Sequence, residues 1–310
     1  TNQSIIMSVG ITDSLSAIND GSLTSGILAA IDDDDDITIT LSDTKIEPPN
    51  LAKLNGLANA TGFTGGVVAT VEGAAANVAG ANLNNLSSAT DNLTITVTDD
   101  PTVAQVKTIS DRTSATNITV NGSITGALAD FIKTDGTLDL TDNYTAAKSH
   151  TTDEPISLSE VTVDSGNVID QVNKLFTRAA GADANTVITG TLTDSGGTIL
   201  TAAGSKEIST GTNDVITVHI GTNIDPDAPK LAQLKKLVDQ AGVTRVNGSM
   251  TISAADIATL VTNFDSSSKI AKNYIAFTLD DAVTAKQASD LANFSYEKLS
   301  EELTFQTEEK

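Results

Sequence analysis

Five consecutive aspartates, Asp32, Asp33, Asp34, Asp35 and Asp36, form the densest set of potential ligands in the sequence. Carboxylate oxygens packed this closely suit a hard divalent cation, and calcium is the ion such a set would take. The same run also reads as a solvated, self-repelling connection into the alternating stretch that begins at Ile37. Neither an Asp-x-Asp-x-Asp-Gly spacing nor a Gly-Gly-x-Gly-x-Asp nonapeptide occurs, so the connection is the favoured reading. Two acidic pairs, Asp99-Asp100 and Asp280-Asp281, recur directly after an alternating stretch and before a helical one. Asp99 and Asp100 are further calcium candidates, but an oxygen at that place is expected to accept the free amides of a helix end. Calcium at these aspartates is therefore the one cofactor expectation.

Chemistry of other kinds finds little support. The two histidines, His150 and His219, stand in Thr-rich settings without a matched partner. His219 lies between Val218 and Ile220 in a strand-like run, so it points away from both, towards solvent. No Gly-x-Ser-x-Gly elbow and no Gly-rich phosphate loop with its Lys is present. With no Trp and three Tyr, a carbohydrate cleft with aromatic platforms is hard to build. The sequence therefore predicts a protein that is not an enzyme.

Composition narrows the partners. Asp and Glu total 40 against 18 Lys and Arg, a net charge of −22. That surface repels phosphate backbones and anionic lipid, so nucleic acid and membrane surfaces are not expected partners. No apolar run approaches the length needed to insert into a membrane. Cysteine is absent and aromatics are 3%, which leaves Ala, Val, Ile and Leu to pack thin layers. Nine Asn-x-Ser/Thr sequons, Asn92, Asn117 and Asn247 among them, matter only where a host glycosylates.

The elements that would carry these residues recur. Gly-[Ser/Thr]-[Ile/Leu/Met]-Thr appears at Gly21–Thr24, Gly122–Thr125, Gly190–Thr193 and Gly248–Thr251, with a degraded copy at Gly65–Val68. The intervals are 44, 57, 68 and 58 residues, long enough for a unit of several elements. Each unit reads as strand, helix, strand, helix. The first strands are Ile37–Leu41, Leu93–Thr98, Ile156–Ser159, Val215–Ile220 and Tyr274–Leu279, in period-2 alternation. Apolar stripes follow at Leu51/Leu54/Leu57, Val103/Val106/Ile109, Ile169/Val172/Leu175/Phe176 and Leu231/Leu234/Leu237/Val238. Shorter second helices carry Leu128/Phe131/Ile132 and Ile257/Leu260/Val261/Phe264. Asp100-Pro101 and Pro229 are expected helix starts, Ser253 with Asp256 a capping box, and Gly62, Gly181 and Gly242 left-handed helix ends.

The fold class expected is an α/β repeat, a solenoid-like stack of units of roughly 57–68 residues. The divisions fall at 1–36 (a half repeat), 37–92, 93–155, 156–214 (with an insert over Asp183–Asp214), 215–273 and 274–310 (a closing half repeat). The incomplete first and last units are expected to be capping halves or a piece of a longer array. The alternation of Thr-rich strand, Asp, Ala/Leu helix and Gly-Ser-Ile-Thr resembles repeat regions of very large surface proteins of marine cyanobacteria and virion proteins of their phages. That resemblance implies extracellular exposure and a structural or adhesive role. The expected function is a non-catalytic structural protein of an extracellular assembly, partnered by copies of itself. The alternative is an adhesin for a surface glycan or receptor, with the 183–214 stretch as the place for its specific loops.

Overall fold

The computed structural model describes residues 10–19, 24, 37–61, 63–86, 90–112, 115–148, 151, 154–178, 186–195, 197–201, 207–222, 227–263, 274–279 and 282–298 of the chain. The chain divides into two compact units, Thr1–Gly126 with Leu140–Pro155, and Ala127–Asp139 with Ile156–Lys310. Among the described residues, no helix is long and apolar enough to cross a membrane.

In the first unit, β1 (Ile11–Asp13), β2 (Ile39–Leu41), β3 (Val67–Gly73), β4 (Asn92–Val97) and β5 (Ala115–Val120) lie side by side in chain order. Every neighbouring pair is parallel. Parallel neighbours need a crossover, and a helix supplies it each time: α1 (Leu15–Ile18), α2 (Leu51–Ala58), α3 (Ala75–Gly80) and α4 (Val103–Arg112). The chain then passes through β6 (Ile124–Gly126) and α5 (Leu128–Phe131), which counts with the second unit, before α6 (Asp142–Lys148) returns to the first.

The expected stripe of α2 is realised: Leu51, Leu54 and Leu57 are fully buried, as are Val67, Val71, Leu93, Ile95 and Val97 on the strands. Each such side chain gains about 1.5–3 kcal/mol by leaving water. Burial alternates along β3 and β4, so helices cover one face of the sheet while Thr70, Thr94 and Thr96 lie on the other.

The second unit repeats the plan. Its own strands β7 (Ile156–Leu158), β9 (Ile188–Asp194), β10 (Val215–His219), β11 (Val243–Ile252) and β12 (Tyr274–Leu279) pair side by side, again parallel and in chain order. A short strand, β8 (Val161–Val163), shares one sheet position with β7. β7 pairs with the start of β9 and β8 with its end. The crossovers are α7 (Gly166–Arg178), α8 (Thr198–Thr201), α9 (Ala228–Asp239), α10 (Ile257–Asn263) and, beyond β12, α11 (Ala285–Lys298). Ile169, Val172, Leu175, Phe176, Leu231, Leu234, Leu237, Ile257 and Leu260 are buried against this sheet's inner face. Val261 is only half-buried, and Phe264 lies outside the described residues.

The chain is thus an α/β protein of parallel sheets in which strands and helices alternate. Strands at all five expected first positions are present, and each alternates with a second strand, β3, β5, β9 or β11. The 183–214 stretch holds β9 and α8.

Two local expectations are corrected. Asp100-Pro101 does not start the helix that follows. α4 begins at Val103, and Thr102 is its cap: the Gln105 amide donates to Thr102 Oγ1 at 3.2 Å and the Thr102 amide to Gln105 Oε1 at 2.8 Å. Thr284 and Gln287 repeat this box at α11. Pro101 lies instead between neighbouring turns of chain, its carbonyl accepting from the Thr125 amide at 2.7 Å. Gly242 does not end a helix in the left-handed region. α9 closes at Gln240, with φ −66°, and Gly242 is required for a different reason given below. Asp227 does cap α9, with Pro229 in its first turn, and the Ser253 amide and hydroxyl both bond to Asp256. Gly62 and Gly181 lie outside the described residues.

Candidate functional surface

The aspartates singled out for calcium divide between undescribed and structural positions. Asp32 to Asp36 lie outside the described residues, as do His150, Asp280 and Asp281. Asp99 and Asp100 are adjacent but turn to different neighbours. Asp99 Oδ1 accepts from the amide of Ala75, the first residue of α3, at 2.8 Å. Asp100 Oδ1 accepts from the Ser123 amide at 2.7 Å. The capping idea holds for Asp99, but the helix it caps is that of the preceding strand, not the one ahead. Asp43, just after β2, does the same two strands earlier, accepting from Leu15, the first residue of α1, at 2.6 Å. Free helix amides are thereby satisfied from the next turn of chain. Among the described residues, no three His, Asp or Glu side chains gather at metal-ligating spacing.

A second set of aspartates escaped the sequence reading. Asp91 and Asp214 each directly precede a strand and are 5% and 3% exposed. Asp91 Oδ1 accepts from Val67, the first residue of β3, at 2.7 Å. Asp214 Oδ1 accepts from Ile188, the first residue of β9, at 3.0 Å, and Oδ2 from Gly211 at 2.6 Å. The common signal was an Asp one residue before a Thr-rich strand in both Asp91-Asn92-Leu93 and Asp214-Val215-Ile216.

Amides work in parallel with them. Asn55 on α2 and Asn173 on α7 follow the same pattern, Leu-x-x-Leu-Asn-x-Leu and Ile-x-x-Val-Asn-x-Leu. Asn55 Oδ1 accepts from the Asn85 amide at 3.0 Å. Asn173 grips an extended strap from both sides, donating to the Glu207 carbonyl at 2.7 Å and accepting from the Ser209 amide at 2.8 Å. Gln240, just past α9, holds the other edge of that strap. It donates to the Ile208 carbonyl and accepts from the Thr210 amide. Lys236 pairs with Glu207 at 2.7 Å across the same seam.

The repeated glycines sit where turns of chain come closest. A side chain on Gly190 would meet Leu158 Cβ at 2.9 Å, and one on Gly248 would meet the Gly221 carbonyl oxygen at 2.6 Å. Gly122 stands against Asp100 in the same way. The Gly-Ser/Thr-x-Thr signature therefore marks the crossing with the preceding strand. Gly66 and Gly242 perform the same service against Thr90 and Gly211.

Further polar side chains line the face of each sheet opposite its described helices. On the second sheet, Thr193, His219 and Asn247 are in register across β9, β10 and β11, and Thr191 stands beside Thr217 one step back. His219 is half-buried there rather than fully exposed. Asn247 Oδ1 is enclosed without a hydrogen-bond partner.

Asp194, at the end of β9, is a carboxyl whose acidity burial alters strongly. It is 7% exposed, its Oδ1 accepts from the Ile199 amide at 3.1 Å, and its Oδ2 has no partner. Desolvation lifts its pKa from 3.8 to about 6, against the lowering effect of the Ile199 and Thr198 amides. Between those two values the unfolded chain releases the proton while the folded chain keeps it. The carboxyl thus costs stability as pH rises through that window and costs most above it. Asp194→Asn should therefore raise the free energy of unfolding near neutral pH by on the order of 1 kcal/mol, a gain that fades towards pH ~4. Urea titrations at the two pH values read this out. An equal effect at both would show that the carboxylate charge is not what matters.

Comparison with known proteins finds no matching family model, curated sequence or solved structure.

Proposed function

We propose that this chain is a non-catalytic structural protein of an extracellular assembly, such as a surface layer, filament or virion appendage. In this reading the sheets form a solenoid-like stack of 57–68-residue units with the divisions given above, and the partners are further copies of the chain. One observation carries it. The conspicuous acids and amides, Asp43, Asp91, Asp99, Asp100, Asp214, Asn55, Asn173 and Gln240, are spent on backbone groups 23 to 36 residues away, with Asp214 also holding its local turn. An enzyme keeps such groups for a cleft; a repeat protein uses them to stitch one turn to the next. The resemblance to cyanobacterial surface and phage virion repeats supports an extracellular setting.

Within the described residues, the end strands β1, β5 and β12 each pair with a single strand. Open edges of parallel sheets template further pairing. A charge of −22 opposes contact along the flanks, which favours edge contacts and bridging divalent cations. Light scattering should show concentration-dependent association in moderate salt, reduced by a chelator. A particle that stays monomeric with and without chelator at high concentration would refute self-assembly.

A further inference from the structure

We infer that Asn121-Gly122, in the bend between β5 and β6, is a site of self-modification where the chain converts its own asparagine to aspartate and isoaspartate. The Gly122 nitrogen attacks Asn121 Cγ and gives up its proton, the Cγ–Nδ2 bond breaks, and ammonia leaves. Water then opens the resulting succinimide ring at either carbonyl. The reaction consumes one water and needs no cofactor or oxidant. Glycine permits the approach because it has no Cβ to obstruct the attacking nitrogen.

Asn-Gly occurs three times in the chain, at Asn55, Asn121 and Asn247, and the fold separates them. Ring closure needs a glycine amide free of hydrogen bonds and a backbone able to turn it towards Cγ. Asn55 and Gly56 lie inside α2, where the helical ladder holds the Gly56 amide. Asn55 is also 8% exposed, and its Oδ1 accepts from the Asn85 amide at 3.0 Å. Asn247 and Gly248 lie in β11, with a paired strand on each side. The Asn247 carbonyl accepts from Ile220 at 2.8 Å, and the Ser249 amide donates to the Gly221 carbonyl at 3.0 Å. Both bonds go to the β10 side, so the Gly248 amide turns to the ladder with β12.

Asn121 differs on each count. It is exposed, and its side chain makes no hydrogen bond among the described residues. The Gly122 amide makes none there either. The amides on either side of it are held, Asn121 by the Val97 carbonyl at 2.9 Å and Ser123 by Asp100 Oδ1 at 2.7 Å. Isoaspartate would lengthen the main chain by a methylene between those two bonds. The bend has no room for it, since even a Cβ on Gly122 would meet Asp100 and the Asp99 carbonyl. Either product also adds negative charge beside these two aspartates. Conversion therefore loosens the bend from the end of β4 as the chain ages.

The test is incubation of the full chain in mildly alkaline buffer, folded and in urea, followed by peptide mass spectrometry and isoaspartate-specific enzymatic methylation. In the folded chain Asn121 should convert at least about tenfold faster than Asn55 or Asn247, which must wait for local opening. In urea the three share one dipeptide and no fold, so their rates should agree within about twofold. Asn121→Gln, which would have to close a larger ring, should remove the fast conversion and leave the other two rates unchanged. After conversion the wild-type chain should unfold at a lower urea concentration than when fresh, while aged Asn121→Gln should not. Equal rates at the three sites in the folded chain, or conversion of Asn121 in urea alone, overturns the proposal. So does an Asn121 that stays fastest in urea, because flanking sequence and not the fold would then select it. A converted chain with an unchanged midpoint would overturn the loosening of the bend.

Discussion

Asp214→Ala is expected to lower the stability of its unit by about 3 kcal/mol. The side chain is 3% exposed and holds two amides, Ile188 from one oxygen and Gly211 from the other. Alanine removes the acceptor of both donors; the Ile188 amide is closed to water, while the Gly211 amide is only partly buried. Each orphaned buried donor costs about 1–3 kcal/mol, set against total stabilities of about 5–15. Asn retains one acceptor oxygen but presents a donor where the second amide points, so Asp214→Asn should fall between wild type and Ala. Asp91→Ala should behave similarly, since Asp91 meets Val67 at 2.7 Å in an equally enclosed place. Asp99→Ala should cost less, because Asp99 is exposed and its bond to the Ala75 amide is only partly buried. Urea midpoints with unchanged slopes would measure the series. Equal losses at Asp99 and Asp214 would show that burial does not set the cost of a missing stitch.

Gly242→Ala is expected to cost about 3 kcal/mol and Gly66→Ala a similar amount. A methyl at Gly242 would meet Thr210 Oγ1 at 2.7 Å, Asp214 Cβ at 2.9 Å and the Gly211 carbonyl oxygen. One at Gly66 would meet the Thr90 carbonyl. These obstacles are mostly backbone, and the two glycines are themselves in the ladder, their carbonyls accepting from Ile216 at 2.9 Å and Ile39 at 2.8 Å. Neither chain can retreat without breaking a sheet bond. Gly80→Ala is the control: it closes α3 with open space around it, so alanine should be neutral or stabilising by up to ~1 kcal/mol. Thermal melts of the three variants test the claim. A Gly242→Ala protein as stable as wild type would mean that the strands are not held at this spacing.

The alternation of strand and helix was legible in the residues alone because it is a local property. Leu51/Leu54/Leu57 and Ile169/Val172/Leu175 can form one stripe only on a helix, while Thr-Ile-Thr around Ile95 can divide two faces only on a strand. Repetition of Gly-Ser/Thr-x-Thr marked the unit for the same reason. What that glycine is for was decided by the tertiary structure, since the atoms it must clear belong to residues 22 to 32 positions earlier in sequence, Asp100, Leu158 and Gly221. The acids show the same division. Asp99 was recognisable as a cap from its place after a strand, but two helices were within reach, and only the spatial order of β3 and β4 selects Ala75. Asp91 and Asp214 carried no local sign of burial, because an Asp before a strand is ordinarily solvated. They are enclosed because parallel strands adjacent in sequence bring the start of one strand against the approach to the next. A side chain's type and spacing determine which element it joins, while the chain that passes alongside determines which backbone group it must satisfy.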